Sequence, residues 1–270
     1  KQEAIDTIFS ATRAREAGDA PASQKIIVAG CLSQRYASDL VKLMPEVDCF
    51  VGVDEVGTIA TIARACMAGT AQKVYSTKVS TLVPDFDATR YRLTNKHFAY
   101  VKIAEGCNHA CAYCVIPRIR GGHRSRPQAS VLREVEHLVG QGCKEINLIA
   151  QDTTYYGMDK WKERAGKTSG VDSSRGESLT SLLRAINAIP GDFRVRVLYT
   201  HPAHWSDELI QVFATCDKVV KYVDIPLQHI SDHILAEQRR KTDGDYIRNL
   251  IRKIRAAVPG IGLRTTFISG

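Results

Sequence analysis

Long hydrophobic runs are missing from this sequence. No apolar stretch in its 270 residues approaches the roughly 20 that a membrane-spanning helix needs, so a spanning helix is excluded and no membrane is expected as a partner. A disulfide framework is missing too. Secreted disulfide scaffolds are short and cysteine-dense, whereas here eight cysteines are thinly spread apart from three in one loop. A reducing cytoplasm is the expected compartment. No internal repeat exists beyond an alternation of strand and helix patterns, which excludes a repeat array. An initiating methionine is absent, and Lys1-Gln2-Glu3 falls in the middle of a helical pattern rather than a signal peptide. The sequence stops at Gly270 directly after an apolar strand pattern, so both ends read as cut. Acidic residues are outnumbered by basic ones, 29 to 37, for a net formal charge of +8. That excess suits a polyanionic partner such as a ribosome or tRNA, or else an ordinary solvated basic surface.

What is present describes a globular chain of one large or two ordinary domains, with 44% apolar and 24% charged residues. Apolar positions at helical spacing predict a helix over 1–18, ended by Gly18. Strands at 25–29 and 48–51 alternate with helices at 33–44, stopped by Pro45, and at 54–67, with Asp54 as N-cap. This predicts a small α/β domain over 1–75. Residues 70–98, with Pro84, read as irregular, and 76–98 as a linker. The alternation then restarts, with strands at 99–104, 146–150, 195–199, 219–225 and 263–268. Helices are predicted after Pro127 and at 179–189, 207–214, 232–238 and 246–258. Five strands in βα rhythm over 99–270 predict an open or partial TIM-type (βα) barrel lacking its last strand. Residues 158–178, including Arg164 and Lys167, read as a mobile surface insertion. Asp207 and Ser231 read as N-caps, and Cys49, Cys66, Cys143 and Cys216 as core thiols.

The chemistry concentrates in Glu105-Gly106-Cys107-Asn108-His109-Ala110-Cys111-Ala112-Tyr113-Cys114, just after the first barrel strand. Thiols at i, i+4 and i+7 in one short loop can turn toward a point. Soft thiolates there select zinc or an iron–sulfur cluster. A structural zinc site wants four protein ligands, and no fourth cysteine lies nearby; His109 sits between ligands that already crowd the metal. A [4Fe–4S] cube on three cysteines leaves one iron open to a small molecule. Zinc and inert buried thiols are the alternatives.

The loop, with aromatic Tyr113 before its last cysteine, resembles the CxxxCxΦC loop of radical S-adenosylmethionine (SAM) enzymes. The resemblance implies that Cys107, Cys111 and Cys114 hold a catalytic [4Fe–4S] cluster whose open iron chelates SAM, with Tyr113 at the cofactor. The following Pro117-Arg118-Ile119-Arg120-Gly121-Gly122-His123-Arg124-Ser125-Arg126-Pro127 is similar to text of the methylthiotransferase branch. Its four arginines either steer anionic ligands or are simply solvated. That branch joins an N-terminal α/β domain with a second [4Fe–4S] cluster to a radical-SAM partial barrel and a C-terminal β domain. The resemblance implies that 1–75 is a remnant of the first domain and 99–270 the radical-SAM core. Cys31, in Gly30-Cys31-Leu32-Ser33-Gln34, matches the third ligand of the second cluster.

Within the branch, Ala150-Gln151-Asp152-Thr153-Thr154-Tyr155-Tyr156-Gly157 is similar to enzymes acting on a ribosomal protein rather than on tRNA adenosine. Leu198-Tyr199-Thr200-His201-Pro202 and Asp224-Ile225-Pro226-Leu227-Gln228-His229 lean the same way. The implied reaction adds a methylthio group to the β-carbon of an aspartate in small-subunit ribosomal protein twelve, free or on the ribosomal subunit. An electron donor such as a flavodoxin or ferredoxin is implied as well. The tRNA-modifying type and, further off, a non-catalytic Fe–S or zinc-binding module are the alternatives. Gln151, Asp152 and Gln228 fall at strand C-terminal ends, where polar groups either contact SAM or substrate or merely cap loops. His201, His204 and His229 read as polar contacts or, more readily, as structural residues; none has metal spacing with another.

Overall fold

The computed structural model describes residues 2–76, 79–83, 85–86, 92–163, 165–166 and 168–269. Lys1, Gly270, Pro84, Arg164 and Lys167, on which some of the expectations above fall, lie outside the described residues. The chain divides into two compact units, Lys1–Leu82 with Arg118–Gly121, and Val83–Pro117 with Gly122–Gly270.

The first unit runs α1 (Gln2–Glu16), β1 (Ile27–Ala29), α2 (Cys31–Leu43), β2 (Cys49–Val51), α3 (Ile59–Ala68) and β3 (Val74–Tyr75). The three strands form a parallel sheet in the order β1-β2-β3, with Val28 opposite Phe50 and Val51 opposite Tyr75. Successive side chains of β2 point to opposite faces. Phe50 accordingly joins Ile8, Ile26, Leu40, Met44 and Val47 on one side, and Cys49 and Val51 join Ile62 and Cys66 on the other. Two expectations need correction here. Residues 70–98 are not irregular throughout, because β3 pairs with β2. The helix expected over 54–67 with Asp54 as its cap instead has a 3₁₀ segment at Val53–Thr58 and becomes α-helical at Ile59. Asp54 serves another turn: its carboxylate accepts from the Thr81 and Leu82 amides at 2.8 and 3.3 Å and from the Ser80 hydroxyl.

Along the rest of the chain come β4 (Phe98–Lys102), β5 (Ala104–Glu105), α4 (Ile116–Arg120), β6 (Arg124–Ser125), α5 (Gln128–Gly140) and β7 (Glu145–Ile149). They are followed by α6 (Leu179–Ala188), β8 (Arg194–Val197), α7 (Asp207–Thr215), β9 (Tyr222–Asp224), α8 (Asp232–Glu237), α9 (Gly244–Ala257) and β10 (Gly262–Arg264). Strands β4, β7 and β8 form a parallel sheet, as do β9 and β10, and a parallel bridge from Val195 to Val219 links β8 toward β9. This is the expected partial barrel of parallel strands with helices between them. Helix α9 shows how the sequence builds its wall. The Asp243 side chain accepts from the Tyr246 amide at 2.7 Å, capping the first turn, and Ile247, Leu250 and Ile254 recur on one buried face.

The strand expected over 99–104 breaks at Ile103, whose amide bonds the Ile149 carbonyl at 2.9 Å while β5 turns aside to pair antiparallel with β6. The expected surface insertion over 158–178 is only partly at the surface: Asp159, Lys160, Lys162 and Glu163 are exposed, but others are not. Met158, Trp161, Ala165 and Val171 are buried in the barrel core, and the Trp161 indole N–H reaches the Glu177 carbonyl at 3.0 Å. Gly157 makes this path passable: at φ +80, an added Cβ would lie 2.1 Å from the Glu177 carbonyl oxygen. The caps also differ. Ser206 rather than Asp207 caps α7, accepting from the Leu209 amide at 3.2 Å, and Ser231 makes no side-chain cap bond.

Arg126 is not a steering charge. It is buried, donates to Glu134 at 2.6 Å, to the Lys102 carbonyl at 2.7 Å and to Ser130 Oγ at 2.9 Å, and so pins α5 to the end of β4. Removing one member of a buried pair costs about 3–5 kcal/mol because the other charge loses its compensation. Arg126→Met, which keeps most of the volume, is therefore expected to destabilise the barrel by about that amount. Urea denaturation followed by tryptophan fluorescence measures it, and an unchanged midpoint would refute the pair's role.

Candidate functional site

The cysteine loop leaves the barrel where β5 ends. Gly106 takes φ +80, a left-handed turn that residues with a Cβ rarely adopt. The β5–β6 pairing, Ala104 with Ser125 and Glu105 with Arg124, closes the loop at its base. Inside it, Asn108 Oδ1 accepts from the His123 amide at 3.0 Å, and the Cys114 amide donates to the Cys111 carbonyl at 3.1 Å. The Ala112 amide donates to the Gln238 carbonyl at 3.1 Å, tying the loop to the C-terminal end of α8.

Cys107, Cys111 and Cys114 are free thiols, each partly buried. Two N–H groups already point at their sulfurs: the His109 amide at 3.4 Å from Cys107 Sγ, and Arg240 Nη1 at 3.7 Å from Cys111 Sγ. Burial, and next the Asp152 charge, pushes the Cys107 thiol up to about 12, so a thiolate there needs a cation to hold it. Three soft donors in one short loop, with N–H groups turned toward sulfur, fit an iron–sulfur cluster. Tyr113 is half-exposed between these groups; burial is the first cause that pushes its phenol up to about 12, with Cys111 adding to it and Arg240 opposing it.

Gln151 follows β7, and its Oε1 is buried with no hydrogen-bond partner among the described residues. Gln228 follows β9 with φ +71, and Tyr199 follows β8 with φ +60. Both are in the left-handed region, where a non-glycine residue is held at a cost of order 1–3 kcal/mol. The Gln228 backbone is clamped on both sides, its amide to the Thr266 carbonyl at 2.9 Å and its carbonyl to the Ile268 amide at 2.8 Å. Cys31 opens α2 in the first unit and receives a hydrogen bond from Arg120 Nη2 at 3.2 Å.

One grouping escapes the sequence. His109, His201 and His204 lie with a ring nitrogen of each within 4.8 Å of those of the others, a grouping that the spacing of the histidines in the sequence did not suggest. His109 Nε2 is 3.0 Å from Asp152 Oδ2 and 3.0 Å from His204 Nε2, and the His109 and His201 rings stack at 3.7 Å. Asp152 is fully buried. Burial alone would raise its carboxyl, but the His109 hydrogen bond and the fields of His204, His201 and His109 outweigh that and hold it well below the usual carboxylate range. Burial is the leading cause that lowers both His201 and His204. His201 and His204 are three residues apart, but positions 109 and 152 share no local spacing with them or with each other. Only the adjacency of the loop, the β7 end and the β8 end joins them, and the signal in the text was no more than a cluster of polar residues after each strand.

The radical SAM superfamily profile matches residues 101–270. Over its whole length the chain is 60% identical to a ribosomal protein uS12 methylthiotransferase RimO of Akkermansia muciniphila, covering 60% of that protein. It is 54% identical to the enzyme of the same name from Opitutus terrae and 45% to that of Geotalea uraniireducens, covering 59% and 56% of them. The chain thus spans somewhat more than half the length of the curated relatives it matches. Among solved structures it shares its fold with the cobalamin-dependent SAM radical enzyme OxsB, with a TM-score of 0.63 at 12% identity, over 99% of this chain and 39% of that one. It also shares it with the radical SAM methyltransferase TsrM of Kitasatospora setae, with a TM-score of 0.60 at 15% identity, over 90% of this chain and 49% of that one. At such identities the structural likeness is one of fold alone. The superfamily match begins inside β4 and contains the whole loop of Cys107, Cys111 and Cys114, and on that match the chain belongs to the radical SAM superfamily.

Proposed function

We propose that this chain is the catalytic part of a methylthiotransferase that modifies an aspartate β-carbon in small-subunit ribosomal protein twelve. The observation that carries the reading is the match along the whole chain, at 60% identity, to a uS12 methylthiotransferase. The three-thiol loop supplies the chemistry such a reaction requires. An unactivated C–H bond lies beyond ordinary acid–base groups, so a cofactor has to do the work and the protein has to position it. A [4Fe–4S] cluster on Cys107, Cys111 and Cys114, with SAM on its open iron, supplies an electron and a carbon-centred radical when bound. The chain's own residues then bind, orient and exclude water. Arg240 and the His109 amide donate toward the thiolate sulfurs, while Tyr113, Gln151 and Gln228 present polar groups at the loop and the strand ends.

Cys31 is the residue we assign to a second cluster. It offers one thiol at the start of α2, so the remaining ligands have to come from cysteines outside this set. Residues 1–75 then belong to the cluster-bearing α/β domain, 76–98 to a linker and 99–270 to the radical-SAM core. The partners of this reading are ribosomal protein twelve, free or on its subunit, and an electron donor such as a flavodoxin or ferredoxin. The compartment is the cytoplasm, consistent with no described helix being long and apolar enough to cross a membrane.

Two outcomes test the reading. Anaerobic reconstitution of residues 1–270 with iron and sulfide is expected to give a reducible [4Fe–4S] signal by electron paramagnetic resonance, abolished when Cys107, Cys111 and Cys114 are replaced together by Ala. Stoichiometric zinc with no redox-active iron would refute it. Incubation of the full-length protein with SAM, reductant and both substrates is expected to add a methylthio group to ribosomal protein twelve and to leave tRNA unmodified by mass spectrometry. Label on tRNA adenosine instead would move the protein to the other branch of the family.

A further inference from the structure

Asp152 presents a charge problem that the iron–sulfur chemistry leaves unsolved. A fully buried carboxylate needs a positive partner close by. Its contacts are the Thr154 hydroxyl at 2.5 Å and the Tyr155 amide at 3.3 Å on Oδ1, and His109 Nε2 at 3.0 Å on Oδ2. No lysine or arginine pairs with it among the described residues. On its Oδ2 side three ligand-type atoms converge. Asp152 Oδ2 and His109 Nε2 are 3.0 Å apart, His109 Nε2 and His204 Nε2 are 3.0 Å apart, and His204 Nε2 and Asp152 Oδ2 are 3.7 Å apart. Zinc–nitrogen and zinc–oxygen bonds of about 2.0–2.1 Å in a tetrahedron place neighbouring ligand atoms about 3.3 Å apart. The three distances bracket that edge.

The surroundings also resemble those of a ligand set. His204 is completely buried, and its Nδ1 donates to the Ser169 carbonyl at 2.7 Å. That bond fixes the tautomer with the Nε2 lone pair turned to Asp152 and His109, which is how metal-ligating histidines are oriented by their outer contacts. Thr154 and Tyr155 hold the other carboxylate oxygen in the same way. His201 is more than nine-tenths buried. Its Nδ1 accepts from the Ala203 amide at 3.2 Å, so its proton is on Nε2, an atom with no partner among the described residues. His201 is for that reason not a ligand in this tautomer. Its unpartnered N–H is a donor suited to a water or anion in the open position of an ion on the other three residues.

We propose that His109, His204 and Asp152 hold a single divalent first-row transition-metal ion, distinct from any cluster on the three thiols. Two imidazoles and a carboxylate select borderline cations such as Zn²⁺ or Fe²⁺. The ion lies on the Oδ2 side of Asp152 and supplies the positive partner that this buried carboxylate lacks among the described residues. It joins the middle of the cysteine loop, through His109, to the end of β7 through Asp152 and to the segment after β8 through His204. It therefore holds the loop against the barrel whether or not the thiols are loaded.

The test uses the full-length protein, reconstituted anaerobically so that its thiols carry clusters, then equilibrated with Zn²⁺ alone and freed of excess. Metal analysis is expected to show about one zinc per chain beyond the cluster iron. Zinc K-edge absorption is expected to show nitrogen and oxygen neighbours near 2.0 Å and no sulfur near 2.3 Å. Asp152→Asn, close to isosteric, and His204→Ala are each expected to weaken zinc binding by more than the roughly 100-fold that loss of a supporting contact costs. Sulfur-ligated zinc, absence of retained zinc, or affinity unchanged in both variants would overturn the proposal. The absorption measurement on the unaltered protein decides it even if a variant fails to fold.

Discussion

The parallel ladder of β4, β7 and β8 is the constraint from which the site follows. Its register sets Lys102 opposite Ile149 and Leu148 opposite Val197, so the C-terminal ends of three strands far apart in sequence lie side by side. Parallel strands require crossovers, and here those crossovers are helices whose apolar faces bury Val131, Val135, Leu182, Ile186, Leu209 and Phe213 against the sheet. Because every crossover returns the chain to the same end, each strand delivers its following loop to one rim. The cysteine loop after β5, the Gln151-Asp152 turn after β7 and the Tyr199-to-His204 segment after β8 share that rim for this reason.

On the rim, burial divides the polar residues by role. Arg126 and Glu134 are buried as a pair and serve the fold. Asp152 is equally buried yet is surrounded by imidazoles, an arrangement that leaves its counter-charge to a proton or a cation. The thiols stay partly exposed, as a site that exchanges small molecules requires. Strain collects at the same place. Tyr199 and Gln228 hold left-handed backbone just beyond their strands, where hydrogen bonds to Asp224 and to the run after β10 keep them.

Much of this was legible in the text alone. The loop from Cys107 to Cys114 announced itself because its donors are local: three thiols fall within eight residues of one loop, whatever the rest of the chain does. The βα rhythm was legible because strand and helix periods differ, and the buried faces of α5, α6 and α9 fall where apolar spacing put them. Cys49, Cys66, Cys143 and Cys216 are the buried thiols that their lack of any motif suggested. Element edges were less legible. The break at Ile103 and the 3₁₀ start before α3 depend on which partner a backbone group finds, and propensity does not report that.

What the sequence by itself determined, then, is the chemistry that neighbouring residues carry and the order of elements that presents it. Tertiary structure alone decided the rest. The polar, glycine- and serine-rich text of 158–178 concealed Met158, Trp161 and Val171, which are buried because the barrel wall offers them a face. Arg126 looked like its three basic neighbours until folding placed Glu134 beside it. His109, Asp152 and His204 lie 43 and 95 positions apart counted from His109, and only the closure of parallel strands brings their side chains to one point. Contacts of that kind are set by register and crossover, long-range quantities to which a local pattern of residue types is blind.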